Sequence, residues 1–227
     1  MTPFATRVTT VIVLGICLLP AGLCAQSLAG QLSIFEKDGA RTADLADAVL
    51  WLEPTGGGAS APRQAGQISM KGKQFAPRVQ VVPISSAVDF PNDDPFRHNV
   101  FSKSGPIEFD LGLFSRGESR TMQFTRSGVY PIFCNIHARM VAYVVAIPSP
   151  YTTRPGTDGR FAFAAVPSGS YRLKVWHERG GQVERQLNVP TDAASPLVIQ
   201  LDARSYRFVQ HRNKFGGTYT ISGSERY

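Results

Sequence analysis

An all-β chain is what the sequence predicts, on three observations. Short runs such as FAFAAV, YRLKVW and VAYVVAI alternate apolar and polar residues with a period of two, the pattern of half-buried strands. Twenty-one glycines and sixteen prolines break these runs into turns. No long stretch carries the 3.6-residue apolar repeat of a helix; DLADAV predicts one helical turn, and AVLWLEP after it predicts a strand. Together these observations predict β-sandwich architecture.

The N-terminus reads as an export signal. Arg7 precedes the apolar run VTTVIVLGICLLPAGL, and CAQ offers small residues for cleavage, expected after Ala25. The run is short for a membrane span and no basic stop-transfer segment follows it, so the mature protein is expected to have no transmembrane segment and to reside in the periplasm. Attachment of a lipid at Cys24 is the alternative, disfavoured by Leu23 directly before it. Cleavage removes Cys17 and Cys24 and leaves Cys134 as the one thiol. In an oxidising compartment a lone thiol is a liability unless it is buried or bound, which makes Cys134 the first functional hint.

Charge excludes one class of partner. The net charge is +7, or +6 without Arg7, and it is spread too thinly for the basic, aromatic-lined stripe of a nucleic-acid binder. A modestly basic surface suits an acidic protein partner or simple solubility. The sequence has no Ser/His/Asp arrangement, phosphate loop or HExxH, so no enzymatic activity is expected.

Two breaks divide the chain beyond the signal. EPTGGGASAPRQAG, residues 53–66, has no apolar periodicity and reads as a linker, and PSPYTTRPG, residues 148–156, is the second break. Residues 66–148 between them suffice for one compact β-sandwich. Residues 26–65 and 149–204 would form another, split around the middle one; the rival arrangement is a separate C-terminal module, with residues 27–53 adding strands to the middle sandwich. Residues 205–227 form a basic, aromatic tail, a packing or docking segment.

Chemistry concentrates in the middle segment. FCNIHARM places Cys134, His137 and Met140 three residues apart on one predicted loop, so that all can face one point. Upstream, VDFPNDDPFRHNVFS supplies His98, followed at once by Asn99. Any one of these would more often be structural: methionine packs in cores, and a lone histidine is usually only hydrogen-bonded. Two imidazoles and a thiolate with a distant thioether are instead the donor set of a blue-copper electron-transfer centre. Zinc also takes cysteine and histidine, but a thioether serves it poorly. Asp93 and Asp94, in a turn flanked by prolines, read as turn caps that adjust charge near the site, and His177 and His211 read as surface residues.

Residues 66–148 resemble the cupredoxin family, particularly its small amicyanin-, pseudoazurin- and plastocyanin-like members. The likeness rests on KQFAPRVQVV, VDFPNDDPFRHNVFS, FDLGLFSRGESRTMQF and GVYPIFCNIHARMVAYVVAI. It implies a Greek-key β-sandwich with one type 1 copper held by His98, Cys134, His137 and Met140. Asn99 would tie the ligand strand to the cysteine loop, His137 would be the solvent-edge ligand, and electrons would be exchanged with a periplasmic redox protein or dehydrogenase. Two positions depart from the family pattern: Ala142 stands where a glycine is usual, and Arg139 puts a charge beside His137 where relatives are apolar.

The flanking segments, GQLSIFEKDGARTADLADAVLWLEP and TDGRFAFAAVPSGSYRLKVWH, resemble the carboxypeptidase-regulatory-like (transthyretin-like) β-sandwich, an accessory module that implies no peptidase activity. The combined architecture is similar to bacterial proteins grouped under methylamine utilisation. The resemblance thus implies a copper electron carrier; storage or delivery of copper without redox turnover is the alternative.

Overall fold

The computed structural model describes residues 26–37, 44–57, 60–190 and 196–219. The expected signal peptide, including Cys17 and Cys24, lies outside the described residues, as does the end of the tail from residue 220. Among the described residues the regular structure is nearly all strand, its one helical element being a 3-10 turn at Leu45–Asp47 where DLADAV predicts it. No described helix is long and apolar enough to cross a membrane.

Strands from both ends of the chain build one sandwich. β1 (Gln26–Phe35) lies between β14 (Arg160–Val166), antiparallel, and β17 (Leu197–Asp202), parallel. Facing it is a second sheet in the order β13 (Thr152–Thr153), β2 (Val49–Pro54), β15 (Gly169–His177), β16 (Gly181–Val189). Alternating residues of the two sheets, among them Leu32, Leu50, Leu52, Phe163, Leu173 and Leu201, fill the space between them. Gly159 shows how closely the chain packs here. It turns the chain into β14 at φ +82, and a Cβ at this position would collide with the Leu32 carbonyl.

The segment between β2 and β13 forms the other sandwich. Its larger sheet runs β6 (Val79–Pro83), β12 (Val141–Ile147), β11 (Gly128–Phe133), β8 (His98–Ser102), β9 (Phe109–Phe114), with β6 and β12 parallel. Against it pack β3 (Gly66–Gln67), β7 (Ser86–Pro91) and β10 (Ser119–Phe124), and the short hairpin of β4 (Ser69–Lys71) and β5 (Gln74–Ala76). Phe90, Phe114, Phe124, Tyr130 and Ile132 form the core, and Cys134 and Met140 belong to the same cluster.

Sheet stacks on sheet where the two sandwiches meet. Val49 and Trp51 of β2 point away from their own core toward Val79, Val145, Ile147 and Trp176. That explains why VLWL is a continuous apolar run rather than an alternating one: β2 is buried on both faces. The contact is closed by Arg78, whose guanidinium reaches Glu178 at 2.7 and 2.9 Å, and by Arg154, which donates to the Val79 carbonyl at 3.2 Å.

His177 ends β15 as its position in the sequence predicts, but it is buried rather than on the surface. Arg179 is paired with Asp44 and Glu36, and the Asp44 carbonyl lies 3.3 Å from His177 Nε2. His177 Nδ1 accepts the Arg179 amide at 3.2 Å.

Candidate metal centre

Hairpin geometry presents three of the sequence-selected residues together. Cys134 is the first residue after β11 and Met140 the last before β12, and Phe133 pairs with Val141 at the hairpin's mouth. The intervening loop is closed from within, by the Cys134 amide to the Met140 carbonyl at 3.4 Å and the Met140 amide to the His137 carbonyl at 3.0 Å. His98 starts β8, the strand next to β11, so it reaches the loop from the rigid sheet.

The donors converge. Cys134 Sγ lies 3.7 Å from His98 Nδ1 and 3.8 Å from His137 Nδ1, and one ligand atom from each of the three lies within 4.8 Å of the others. Nitrogen and sulfur donors at about 2.0–2.3 Å from a common centre and at trigonal angles sit ~3.8 Å apart, so the side chains are already spaced for one ion. Met140, 1 % exposed, is buried in the core cluster beside Cys134. A thiolate, two imidazoles and a neighbouring thioether form a donor set that fits copper. The Ile136 amide points at Cys134 Sγ from 3.5 Å, a donor aimed at thiolate charge.

His137 is half-buried and titrates at about 4. Burial is the main cause, reinforced by the charges of His98 and Lys73 and opposed by Asp94. The ring is therefore neutral across the physiological range, as a ligand must be. The exposed Arg139 follows one residue beyond Ala138.

Asp94, which its place in the sequence marks as a turn cap that adjusts charge near the site, is a direct partner of the site. Its Oδ2 lies 2.7 Å from His98 Nε2, and both groups are buried. The same carboxylate accepts the amides of Gly72 at 2.6 Å and Lys73 at 2.8 Å. Those residues form the turn of the β4–β5 hairpin with φ +62 and +57, a left-handed pair that turns both N–H groups inward. Burial pushes the Asp94 carboxyl upward, but donation from Lys73, His98 and Gly72 outweighs it and holds the group below its ordinary value. An ionised Asp94 accepts a hydrogen bond from His98 Nε2–H, which leaves the Nδ1 lone pair directed at Cys134. The four-residue step from Asp94 to His98, stiffened by Pro95, was the available signal in the sequence.

Asn99 is buried, and its described hydrogen bonds run to β9 rather than directly to the cysteine loop. Its Nδ2 donates to Asp110 Oδ1 at 2.7 Å and to the Gly112 carbonyl at 2.9 Å. The loop is reached at one remove: Lys214 Nζ binds Asp110 Oδ2 at 2.7 Å, and the Lys214 amide donates to Asn135 Oδ1 at 2.8 Å. Asp110 is pushed up by burial but more strongly down by donation from Lys214, Asn99 and the Gly112 amide, so it stays below its ordinary value of 3.8. A depressed carboxyl contributes stability that is present above the unfolded pKa and lost as pH falls through the folded one. The Lys214 amide resonance is therefore expected to move as pH falls below about 4, and a resonance unmoved there would show that Asp110 does not hold the tail.

Comparison with family models and with curated proteins finds no match. Among solved structures the chain is similar to a copper-containing nitrite reductase from Thermus scotoductus, with 28% identity, a TM-score of 0.36 and coverage of 43% of this chain. It spans about a quarter (26%) of that enzyme's length. It is also similar to a purple cupredoxin from Nitrosopumilus maritimus, with 22% identity, a TM-score of 0.33 and coverage of 36% of this chain and 99% of the other. For amicyanin from Paracoccus versutus the values are 20%, 0.35, 38% and 85%. What assigns the metal is the donor set of the chain itself.

Proposed function

We propose that this protein is a periplasmic electron carrier with a single type 1 copper centre held by His98, Cys134, His137 and Met140. The carrying observation is the spacing of Cys134 Sγ, 3.7 and 3.8 Å from two imidazole nitrogens on separate elements. Copper bound there supplies a one-electron Cu(I)/Cu(II) couple.

The chain's own contribution is a site shaped in advance. His98 is fixed by β8 and Asp94, Cys134 by the hairpin, and Met140 by the core, so the donors cannot rearrange to suit either oxidation state alone. An exposure of 0 % at Cys134 keeps water from the thiolate, while His137 reaches the edge. In this reading the protein carries electrons and catalyses no reaction of its own. The export signal in the sequence supports a periplasmic setting, with a redox protein or dehydrogenase as partner. The sandwich built from the chain ends, transthyretin-like in its sequence pattern, would present the copper sandwich to that partner.

Absorption and electron-paramagnetic-resonance spectra of the copper-loaded protein test the proposal. Intense blue or purple thiolate-to-copper absorption with reversible bleaching by a mild reductant is the expected result. Tight Cu(I) binding by a protein that stays colourless with Cu(II) would replace electron transfer with copper storage or delivery.

A further inference from the structure

The described tail beyond β17, residues 203–219, folds back across both sandwiches and reaches the ligand loop. Three consecutive residues there are each engaged. The Phe133 ring is stacked under His211, with centroids 4.3 Å apart and planes 23° from parallel. The Tyr219 hydroxyl donates to the Cys134 carbonyl at 2.7 Å. Asn135 Oδ1 accepts the Lys214 amide at 2.8 Å. Beneath them, Lys214 Nζ grips Asp110, which holds Asn99 beside His98.

The hydrogen bonds form a directed chain. A carbonyl only accepts, so the Tyr219 proton must point at Cys134. Tyr219 Oη, 3.1 Å from His211 Nδ1, then accepts from that nitrogen, whose proton is shared with the Arg212 carbonyl at 3.1 Å. The Cys134 amide is already committed to Met140, so the backbone of the thiol-bearing residue is fixed from one side by the hairpin and from the other by the tail. The tail also shapes the approach. Phe208, Gln210 and Tyr219 form one wall of a cleft of ≈ 920 Å³ whose other walls include the β4–β5 turn and His137.

We propose that the C-terminal segment is an integral part of the metal centre, with Tyr219 the positioning residue that holds Cys134 through its carbonyl. Tyr219 touches no ligand atom; it acts by fixing the peptide that carries Sγ and by placing the positive end of its O–H dipole beside the cysteine. The dipole favours the more electron-rich form of the site, so its removal lowers the reduction potential. The effect on potential rests on the copper reading above; the effect on the loop does not.

Tyr219→Phe in the full chain is the test, together with a chain ended after Arg207, which keeps Tyr206 packed on the outer core. Val209→Ala, at a tail position 80 % exposed, is the control. In the metal-free protein the rate at which a disulfide reagent modifies Cys134 should rise about fivefold in Tyr219→Phe and about tenfold or more in the shortened chain, for loss of one and of several hydrogen bonds. The control should match the wild type. In the copper-loaded protein Tyr219→Phe should shift the Cu(I)-over-Cu(II) preference about threefold toward Cu(II), a fall of ~28 mV at 59 mV per tenfold for one electron. Wild-type thiol rates in both variants would overturn the proposal. Raised thiol rates in a protein that never turns blue would uphold the role of the tail while removing the electron-transfer reading.

Discussion

Replacing Cys134 by serine is expected to abolish the intense visible absorption of the copper-loaded protein and to weaken copper binding by roughly a hundredfold or more. Removing a group that only orients a ligand already costs about 10–100-fold in affinity, and Cys134 is a donor itself. The substitution is nearly isosteric, so what changes is chemistry rather than shape. Sulfur ionises readily beside a metal and donates softly, whereas a serine hydroxyl stays protonated and hard. The fold should survive, because the Ile136 amide that points at Sγ can point at an oxygen. Stability of the metal-free protein is expected to change by about 1 kcal/mol, equivalent to roughly 2–4 °C in Tm for a chain of this size. Absorption spectroscopy with a Cu(I) competition assay measures both effects. Retention of the colour would show that another group supplies the thiolate's role.

Asp94→Ala should give the next largest effect, and on two quantities together. The carboxylate accepts from His98 Nε2 and from two amides of the β4–β5 turn, so its loss strands three donors. Unpaired buried donors cost about 1–3 kcal/mol each, but the turn is partly open and can turn to water. A net loss of ~2–4 kcal/mol in the metal-free protein is expected, with copper affinity falling about 10–100-fold as His98 loses its fixed tautomer. Asp94→Asn separates the causes. An amide has one oxygen for three donors and presents N–H to the others, so it keeps the bulk while spoiling the acceptor geometry. Affinity should fall in this variant even where thermal unfolding shows a smaller loss of stability. Wild-type copper affinity in both variants would remove Asp94 from the centre and leave it a turn anchor.

Much of the architecture was legible because strand periodicity is a local property. FAFAAV and YRLKVW fall on β14 and β15, and VAYVVAI on β12. The helical turn at DLADAV was legible for the same reason. The burial of His177 was not, because nothing near it in sequence announces it: Asp44, which meets its Nε2 side, lies more than 130 residues upstream. Asn99 has a different set of partners from the one its family resemblance implies. Its side chain turns to Asp110 and Gly112 on the adjacent strand, and a buried amide bonds to the acceptors that the sheet brings within reach.

By itself the sequence determined the donor types and their order: a lone thiol, an imidazole and a thioether at three-residue steps, with a second imidazole upstream. Short-range spacing suffices for that, since a short loop between paired strands leaves its side chains little freedom. Only the tertiary structure decided what encloses those donors. The β4–β5 turn meets Asp94 across more than twenty residues, the Gly72 and Lys73 amides donating to its carboxylate. Tyr219 meets the Cys134 carbonyl across 85 residues because the tail covers the outer face of β8 and β11. Such contacts depend on which surfaces are buried together, and burial is a property of the folded chain as a whole rather than of any stretch of it.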